Sequence, residues 1–526
     1  MEDTKSIAVP TLKYKVDYSE KLGRYLQATT DLQPGEVIFR EEPIIVGPIT
    51  SNKNLVCFAC MSILLFEEKE EQYFCSKCTV APLCGSACEE HSKHHTPDEC
   101  ELFKTNKDQL QLTLSCVTDT LLILRIWLLK KRDPKLWERV KSMEAHLDKR
   151  RDTEVWENRE IYVVAMLKSL NLVPDDDPSV SEVLQLICGI VDVNSFQLRP
   201  PGRKEGLCLR GLFMEASLLS HNCRGNLYLT TDSNFKLTVY ASVPIKKGDT
   251  ICFNYSTPLL GALARRQHLK ETKYFECDCS MCSDRYEMES YISSILCPRC
   301  KKGYVGMEDP LTKFPYKMKW ICNKCEHRMG GCLVKTTLNL CKSLIDKVDN
   351  QDAKELEILK RKLLNTLHRN HYLILLVKQK LLTIYRLEAT KSNPKKRFME
   401  NMLDVCKEMY ELLEIIEPGI SRFKGKYFLA MILYEWHLPI MWLANRAHCR
   451  EQIPTMELIS RLEECASVLK KSLTILLLES SDTPEGKLAR QGLQKLKTLN
   501  ALIADAKAIS KFENLTFRER RKLHKI

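Results

Sequence analysis

The sequence predicts an α+β chain in which short strands, cysteine-stapled loops and a long helical tail succeed one another, and three observations predict it. Cysteines recur in pairs two residues apart between 57 and 325, alternating apolar segments with Gly-containing turns flank the first cluster on both sides, and helical periodicity fills the chain from about Leu338 onward. At ~150 residues per domain, 526 residues make three or four domains the starting expectation. With 44% hydrophobic and 28% charged residues, 19 Gly and 21 Pro, the composition excludes disordered, collagen-like and low-complexity classes. The excess of 80 Lys+Arg over 68 Asp+Glu gives +12, too thinly spread to indicate nucleic-acid binding by itself.

The opening residues lack the apolar core of a secretory signal, and the Arg-Arg-Lys-Leu-His-Lys-Ile ending carries no lipidation box. The longest apolar run, Tyr427 to Ala444, is interrupted by Glu435, His437 and Pro439, which suits a buried helix pair better than a bilayer span. The expectation is a soluble intracellular chain without membrane contact, whose 24 cysteines remain thiols.

The elements follow in order. Leu22 to Ala28, followed by Leu32 to Phe39 with its Pro34-Gly35 turn, reads as short antiparallel strands. Next comes the cysteine cluster. Chance would give about one Cys-x-x-Cys pair in such a chain, yet five occur: Cys57/Cys60, Cys75/Cys78, Cys279/Cys282, Cys297/Cys300 and Cys322/Cys325. A two-residue gap lets both sulfurs reach one ion at ~2.3 Å, and zinc takes four such ligands in a tetrahedron. Between 57 and 100 stand Cys57, Cys60, Cys75, Cys78, Cys84, Cys88, His95 and Cys100, eight ligands for two sites, with His91 and His94 as rivals for the histidine place. So short a segment cannot bury a sufficient core, so metal supplies its folding free energy.

From Asp108 to about Leu172 apolar residues such as Leu114, Val117, Leu121 and Leu124 recur at helical spacing, interrupted by Pro134; Asp175 to Pro178 reads as a loop. A β-meander then ends in the segment Val243 to Tyr255. Cys277, Cys279 and Cys282 are three ligands in need of a fourth, whereas Cys297, Cys300, Cys322 and Cys325 have zinc-ribbon spacing and close on themselves. Setting Cys223 aside, the nine other cysteines, such as Cys116, Cys188, Cys406, Cys449 and Cys465, read as small core residues. In the tail, Pro394, Pro418, Pro439, Pro454 and Pro484 punctuate the helical pattern into pairs, His368 and His371 read as surface or core residues, and Arg518, Arg520, Arg521, Lys522 and Lys525 form a basic end.

Residues 57 to 100 resemble a MYND zinc finger. The Gly211-Leu212-Phe213, Ser217 to Cys223, Asn226 and Gly248 to Tyr255 segments resemble the SET domain of protein lysine methyltransferases. A SET domain split by a MYND finger is similar to the SMYD family, and the ribbon and the Lys273-Tyr274-Phe275 variant look most like its arthropod-type SmydA branch. The resemblance covers residues 15 to 335. It implies an N-terminal SET segment at 1–50, the finger at 57–100, a helical insert at 101–185, the SET core at 186–256, a post-SET zinc segment at 257–285, the ribbon at 286–335 and a TPR-like helical domain at 336–526, although no clean 34-residue repeat is visible.

The resemblance also implies a ligand set and a pocket. The finger pairs would interleave as Cys57, Cys60, Cys84, Cys88 and Cys75, Cys78, His95, Cys100, while Cys223 joins Cys277, Cys279 and Cys282, giving four zinc ions with the ribbon. Tyr255 would orient the lysine amine, since a phenol with pKa near 10 is a poor base at neutral pH. S-adenosylmethionine would meet Gly23, Arg24, Tyr25, Asn194, Ser217, Leu219, Ser220 and His221, with Phe275 stacked on the adenine. Against the family pattern, Ser220 replaces Asn, Asn222 replaces Ser, Gly225 replaces a common Pro, and Lys273 stands where an aromatic lines the lysine channel. A cation there repels a sulfonium and a substrate lysine unless Tyr274 restores the wall.

The expected function is therefore S-adenosylmethionine-dependent methylation of histone or non-histone lysines in gene regulation, nuclear and cytoplasmic, with the finger recruiting proline-rich peptides or corepressors. The alternative is a catalytically weak adaptor serving as a corepressor scaffold. Direct nucleic-acid binding is the weaker expectation, because the clusters lack a ββα unit with an Arg- and Asn-rich recognition helix.

Overall fold

The computed structural model describes residues 12–48, 55–64, 72–201, 209–314, 317–417 and 428–513. Pro418 and the basic end from Arg518 to Lys525 lie outside them. Strands are short and pair across long sequence separations. Tyr14–Ser19 and Gly23–Ala28 form an antiparallel hairpin, with Gly23 at φ 66° in the left-handed region where a side chain would be strained. Val37–Glu41 pairs with Leu237–Ala241, which pairs with Leu227–Thr231. Ile45–Pro48 pairs with Leu209–Leu212, which pairs with Phe196–Leu198. The two strands nearest the finger, Val37–Glu41 and Ile45–Pro48, are thus completed by strands far later in the chain, and everything between is inserted into one β unit.

The insert is helical. Leu114–Arg132 is buried along most of its length and lies so close to Ile45–Pro48 that a Cβ on Gly47 would fall 2.7 Å from that of Leu122. Pro134 does not merely interrupt the pattern. It is the first residue of Pro134–Lys141, whose initial turn is capped by the Asp133 carboxylate. Asp177 caps Pro178–Asn194 in the same way, and that helix runs through the expected boundary at residue 185.

Beyond the β unit, helix Ala262–Lys273 leads into the cysteine-rich segment and then a four-stranded antiparallel ribbon of Ile295–Leu296, Tyr304–Met307, Lys319–Cys322 and Arg328–Gly330. Gly331–Lys347 begins the helical tail, which continues through Tyr372–Ala389, Lys396–Ile416, Phe428–Cys449, Thr455–Leu476 and Pro484–Glu513. His371 caps Tyr372–Ala389 from a fully buried position, and His368 packs between Tyr291 and Tyr304.

One expectation fails in the tail. Pro439 lies inside the helix Phe428–Cys449 and does not end it. Packing outweighs the lost backbone bond: Ser472 and Cys465 of the next helix donate to the carbonyls of Ala430 and His437, and Ala430, Leu433 and Ala444 are buried in the same core. Tyr228 belongs to that core, and Arg199 pairs with Glu485 at 2.6 Å, so the tail is bolted to the β unit.

Candidate active site and metal centres

Among the described residues, four groups of side chains have all their ligand atoms within 4.8 Å of one another: Cys57, Cys60, Cys84, Cys88; Cys75, Cys78, His95, Cys100; Cys223, Cys277, Cys279, Cys282; and Cys297, Cys300, Cys322, Cys325. With Zn–S bonds of ~2.3 Å, the edge of a tetrahedron is ~3.8 Å. The separations of Cys60 from Cys84 (3.6 Å), Cys75 from Cys100 (3.8 Å), Cys223 from Cys282 (3.5 Å), Cys297 from Cys325 (3.7 Å) and Cys300 from Cys322 (3.8 Å) suit that edge. The soft donor sets fit zinc, and each has four ligands, which leaves no open position for metal catalysis.

In the finger, His95 Nε2 lies 3.7 Å from Cys78 Sγ. His94 instead packs on Phe235, and His91 ends the short helix Ser86–Glu90. Behind the third group sits Arg265, fully buried, paired with Glu287 at 3.0 Å and 3.9 Å from Cys282 Sγ. A guanidinium there offsets the negative charge that four thiolates leave around a divalent ion.

The third group holds together what the chain keeps apart. Ser220–His221 runs parallel to Cys252–Phe253, and the Tyr255 amide donates to His221 Nδ1 at 3.0 Å. The His221 ring meets those of Tyr255 and Phe275 at 5.1 and 5.6 Å, an aromatic run with Cys223 beside it. Burial pulls His221 down to about 4, so the imidazole is neutral. Burial pushes the Tyr255 phenol above its ordinary value, and its hydroxyl donates to the Leu219 carbonyl. Asn226 ties the meander, donating to the Thr250 carbonyl and accepting from the Cys252 amide, both at 2.9 Å.

The remaining expected site residues surround this run. Gly23 begins its strand with open space where a Cβ would stand, and the preceding turn reaches the cysteine-rich loop through Lys21 and Asp278 at 2.7 Å. Arg24 is exposed and donates to the Ser142 carbonyl at 2.7 Å, while Tyr25 lies along the hairpin opposite Asp17. Asn194 donates to the carbonyls of Glu144 and Ile190, each at 2.8 Å, and Ser217 donates to the Met214 carbonyl at 2.7 Å. Ser220 and Leu219 are buried.

A cavity of about 710 Å³ opens beside Tyr255. Asn194, Ser217 and Tyr255 line it, whereas Gly23, Arg24, Tyr25, Leu219, Ser220, His221 and Phe275 are not among its lining residues. Helix Ala262–Lys273 ends with Tyr274 in the left-handed conformation, and both Lys273 and Tyr274 line the cavity. Lys273 Nζ stands 5.6 Å over the Tyr255 ring and donates to the carbonyls of Asp192 and Val193. Sequence reasoning missed Arg150, Arg159, Asp192 and Arg210, which share this wall. It also missed Glu41, whose carboxylate caps the turn before Ser217 by accepting from the amides of Met214, Glu215 and Ala216. Neither group has a spacing signature; their partners are distant in sequence.

A split β unit with a cysteine-rich insertion and a cysteine-clamped Tyr and His at its centre defines the SET class. The SET domain model matches residues 23–256. The chain is 27% identical over 323 residues to SET domain-containing protein SmydA-8, isoform A, of Drosophila melanogaster, covering 60% of this chain and 65% of that protein. It is 25% identical over 357 residues to histone-lysine N-methyltransferase ASHR1 of Arabidopsis thaliana (63% and 68%) and 24% identical over 282 residues to histone-lysine N-methyltransferase SMYD3 of Homo sapiens (52% and 61%). The chain thus spans a little under two thirds of the length of the first of these relatives. It contains a SET domain and is similar to the SET- and MYND-domain proteins of the SMYD family. Among the described residues no helix is long and apolar enough to cross a membrane.

Proposed function

We propose that the chain is a protein-lysine N-methyltransferase that uses S-adenosylmethionine, with zinc in all four cysteine groups. Two relatives named as histone-lysine N-methyltransferases support the class. The single observation that carries the reading in this chain is the convergence of Cys223 with Cys277, Cys279 and Cys282, which sets His221, Tyr255 and Phe275 in one aromatic run. When bound, the cofactor supplies an electrophilic methyl group. Phe275 and His221 offer ring faces to its adenine, Gly23 leaves room for close backbone approach, and Tyr255 orients the incoming amine. An apolar wall of Phe196, Phe253 and Tyr255 favours the neutral amine, whose protonated form otherwise costs ~4 kcal/mol to deprotonate at neutral pH. The finger and the helical tail offer surfaces for protein partners in the nucleus and cytoplasm.

A second reading, a SET/MYND adaptor with little catalytic activity, is favoured by Lys273, whose ammonium stands over the Tyr255 ring where the amine would arrive. Calorimetric titration of zinc-replete protein with S-adenosylmethionine separates the two. Binding that is lost in Phe275→Ala, with methyl transfer that falls in Tyr255→Phe, supports the enzyme. No heat of binding supports the adaptor.

A further inference from the structure

The cavity beside Tyr255 carries more positive charge than its own carboxylates answer. Asp192 sits at the centre of three arginines, taking Arg150 Nη2 at 2.9 Å, Arg159 Nη2 at 2.6 Å and Arg210 Nη1 at 3.1 Å. Lys273 brings a fourth cation and turns to backbone carbonyls instead of a carboxylate. Among the described residues the other acidic side chain on the wall is Glu271, which is exposed and engaged by Gln267. Among the described residues, one buried carboxylate formally cancels one charge of four. The Arg150 side chain is only 1% exposed, and its Nε has no hydrogen-bond partner.

Uncompensated buried charge is costly, and a guanidinium presents donors in a fork that matches carboxylate and phosphate oxygens. The facing wall, with Phe196 and Phe253 stacked at 5.7 Å, is apolar and can receive carbon. We propose that this cavity binds an oxyanion, a carboxylate or phosphate, held among Arg150, Arg210 and Lys273 with its organic remainder against Phe196 and Phe253. The oxyanion comes either from an acidic side chain next to the target lysine of a protein substrate or from a free small anion. The first source rests on the methyltransferase reading and gives it a substrate class: lysines flanked by Asp or Glu, whose carboxylate neutralises a wall that otherwise repels the arriving amine.

The test is a binding measurement on the full zinc-replete chain. Thermal melts compare inorganic phosphate with chloride at equal ionic strength, and fluorescence anisotropy compares a lysine peptide flanked by Glu with its Gln counterpart. Phosphate raising the melting temperature marks the free-anion source, and tighter binding of the Glu peptide, by about tenfold, marks the substrate source. Either response must weaken about tenfold in Arg210→Gln and in Lys273→Met. These lie on a strand and at a helix end, so misfolding of one leaves the other as the test. No response from either probe, or a response undiminished in both variants, overturns the proposal. Neither readout needs methyl transfer, so an anion response in a chain that transfers no methyl retains this site and removes the enzyme reading, and methyl transfer without an anion response does the reverse.

Discussion

The Nδ1 of His95 lies 2.7 Å from a carboxylate oxygen of Glu99, which is fully buried. The same carboxylate takes Arg125 Nε and Nη2 at 2.7 and 3.0 Å, and Arg125 goes on to the carbonyls of Val46 and Phe58. A candidate ligand of the finger is therefore oriented by a chain of contacts that ends on a strand of the β unit. A carboxylate behind a ligating histidine fixes ring orientation and tautomer.

Glu99→Gln weakens this link. The second finger site should lose metal affinity by about 10- to 100-fold, while the ribbon site, far from it in sequence, keeps its own. Competition with a chromophoric chelator resolves the two, and uniform release from all sites would contradict the link.

Replacing Cys223 by Ser removes one of four ligands from the group that joins Ser220–His221 to the cysteine-rich loop. Native mass spectrometry should count one zinc fewer than in the parent chain, and the melting transition should broaden as the two halves lose their clamp. Full occupancy in the variant would show that Cys223 is no ligand.

Burial and the Arg210 guanidinium hold the Lys273 ammonium down at about 8, with the Asp192 carboxylate opposing them. The unfolded lysine titrates near 10.5. Between these values the unfolded state binds more protons, so the folded state gains stability as pH rises from about 8 toward 10.5; below 8 the burial penalty is fully present. In phosphate-free buffer the parent's melting temperature should climb relative to Lys273→Met over that window. Parallel profiles would refute the assignment to Lys273.

A Cβ on Gly225 would stand 2.6 Å from the Cα of Phe253 and 3.0 Å from the amide of Asn254. Gly225→Ala must push away the backbone that leads into Tyr255. A loss of ~1–3 kcal/mol is expected, read as a lower denaturant midpoint with unchanged slope.

How much was legible follows from the range of each interaction. The Cys-x-x-Cys pairs and the ribbon ligands are local, so spacing alone announced them. The strand segments and helix periodicity were equally readable because each pattern repeats within a few residues, but the strand partners were not: Gly23–Ala28 pairs with Tyr14–Ser19 and Val37–Glu41 with Leu237–Ala241, not with each other. Pro439 was misread because the forces that keep its helix intact come from Cys465 and Ser472 of a neighbouring helix. The Asp192 cluster left no trace in the sequence, since Arg150, Arg159 and Arg210 are scattered among many other basic residues and meet only when the Pro178–Asn194 helix lies beside the Leu209–Leu212 strand.

By itself the sequence determined the chemistry available: which thiols are paired, which segments alternate, and which Tyr follows a strand. Tertiary structure alone decided that His95 and not His94 faces Cys78, and that Lys273 stands over Tyr255 in a cationic cavity. The reason is that metal pairing is written in short loops, whereas the charge of a cavity is a sum over side chains whose neighbours are fixed only by packing.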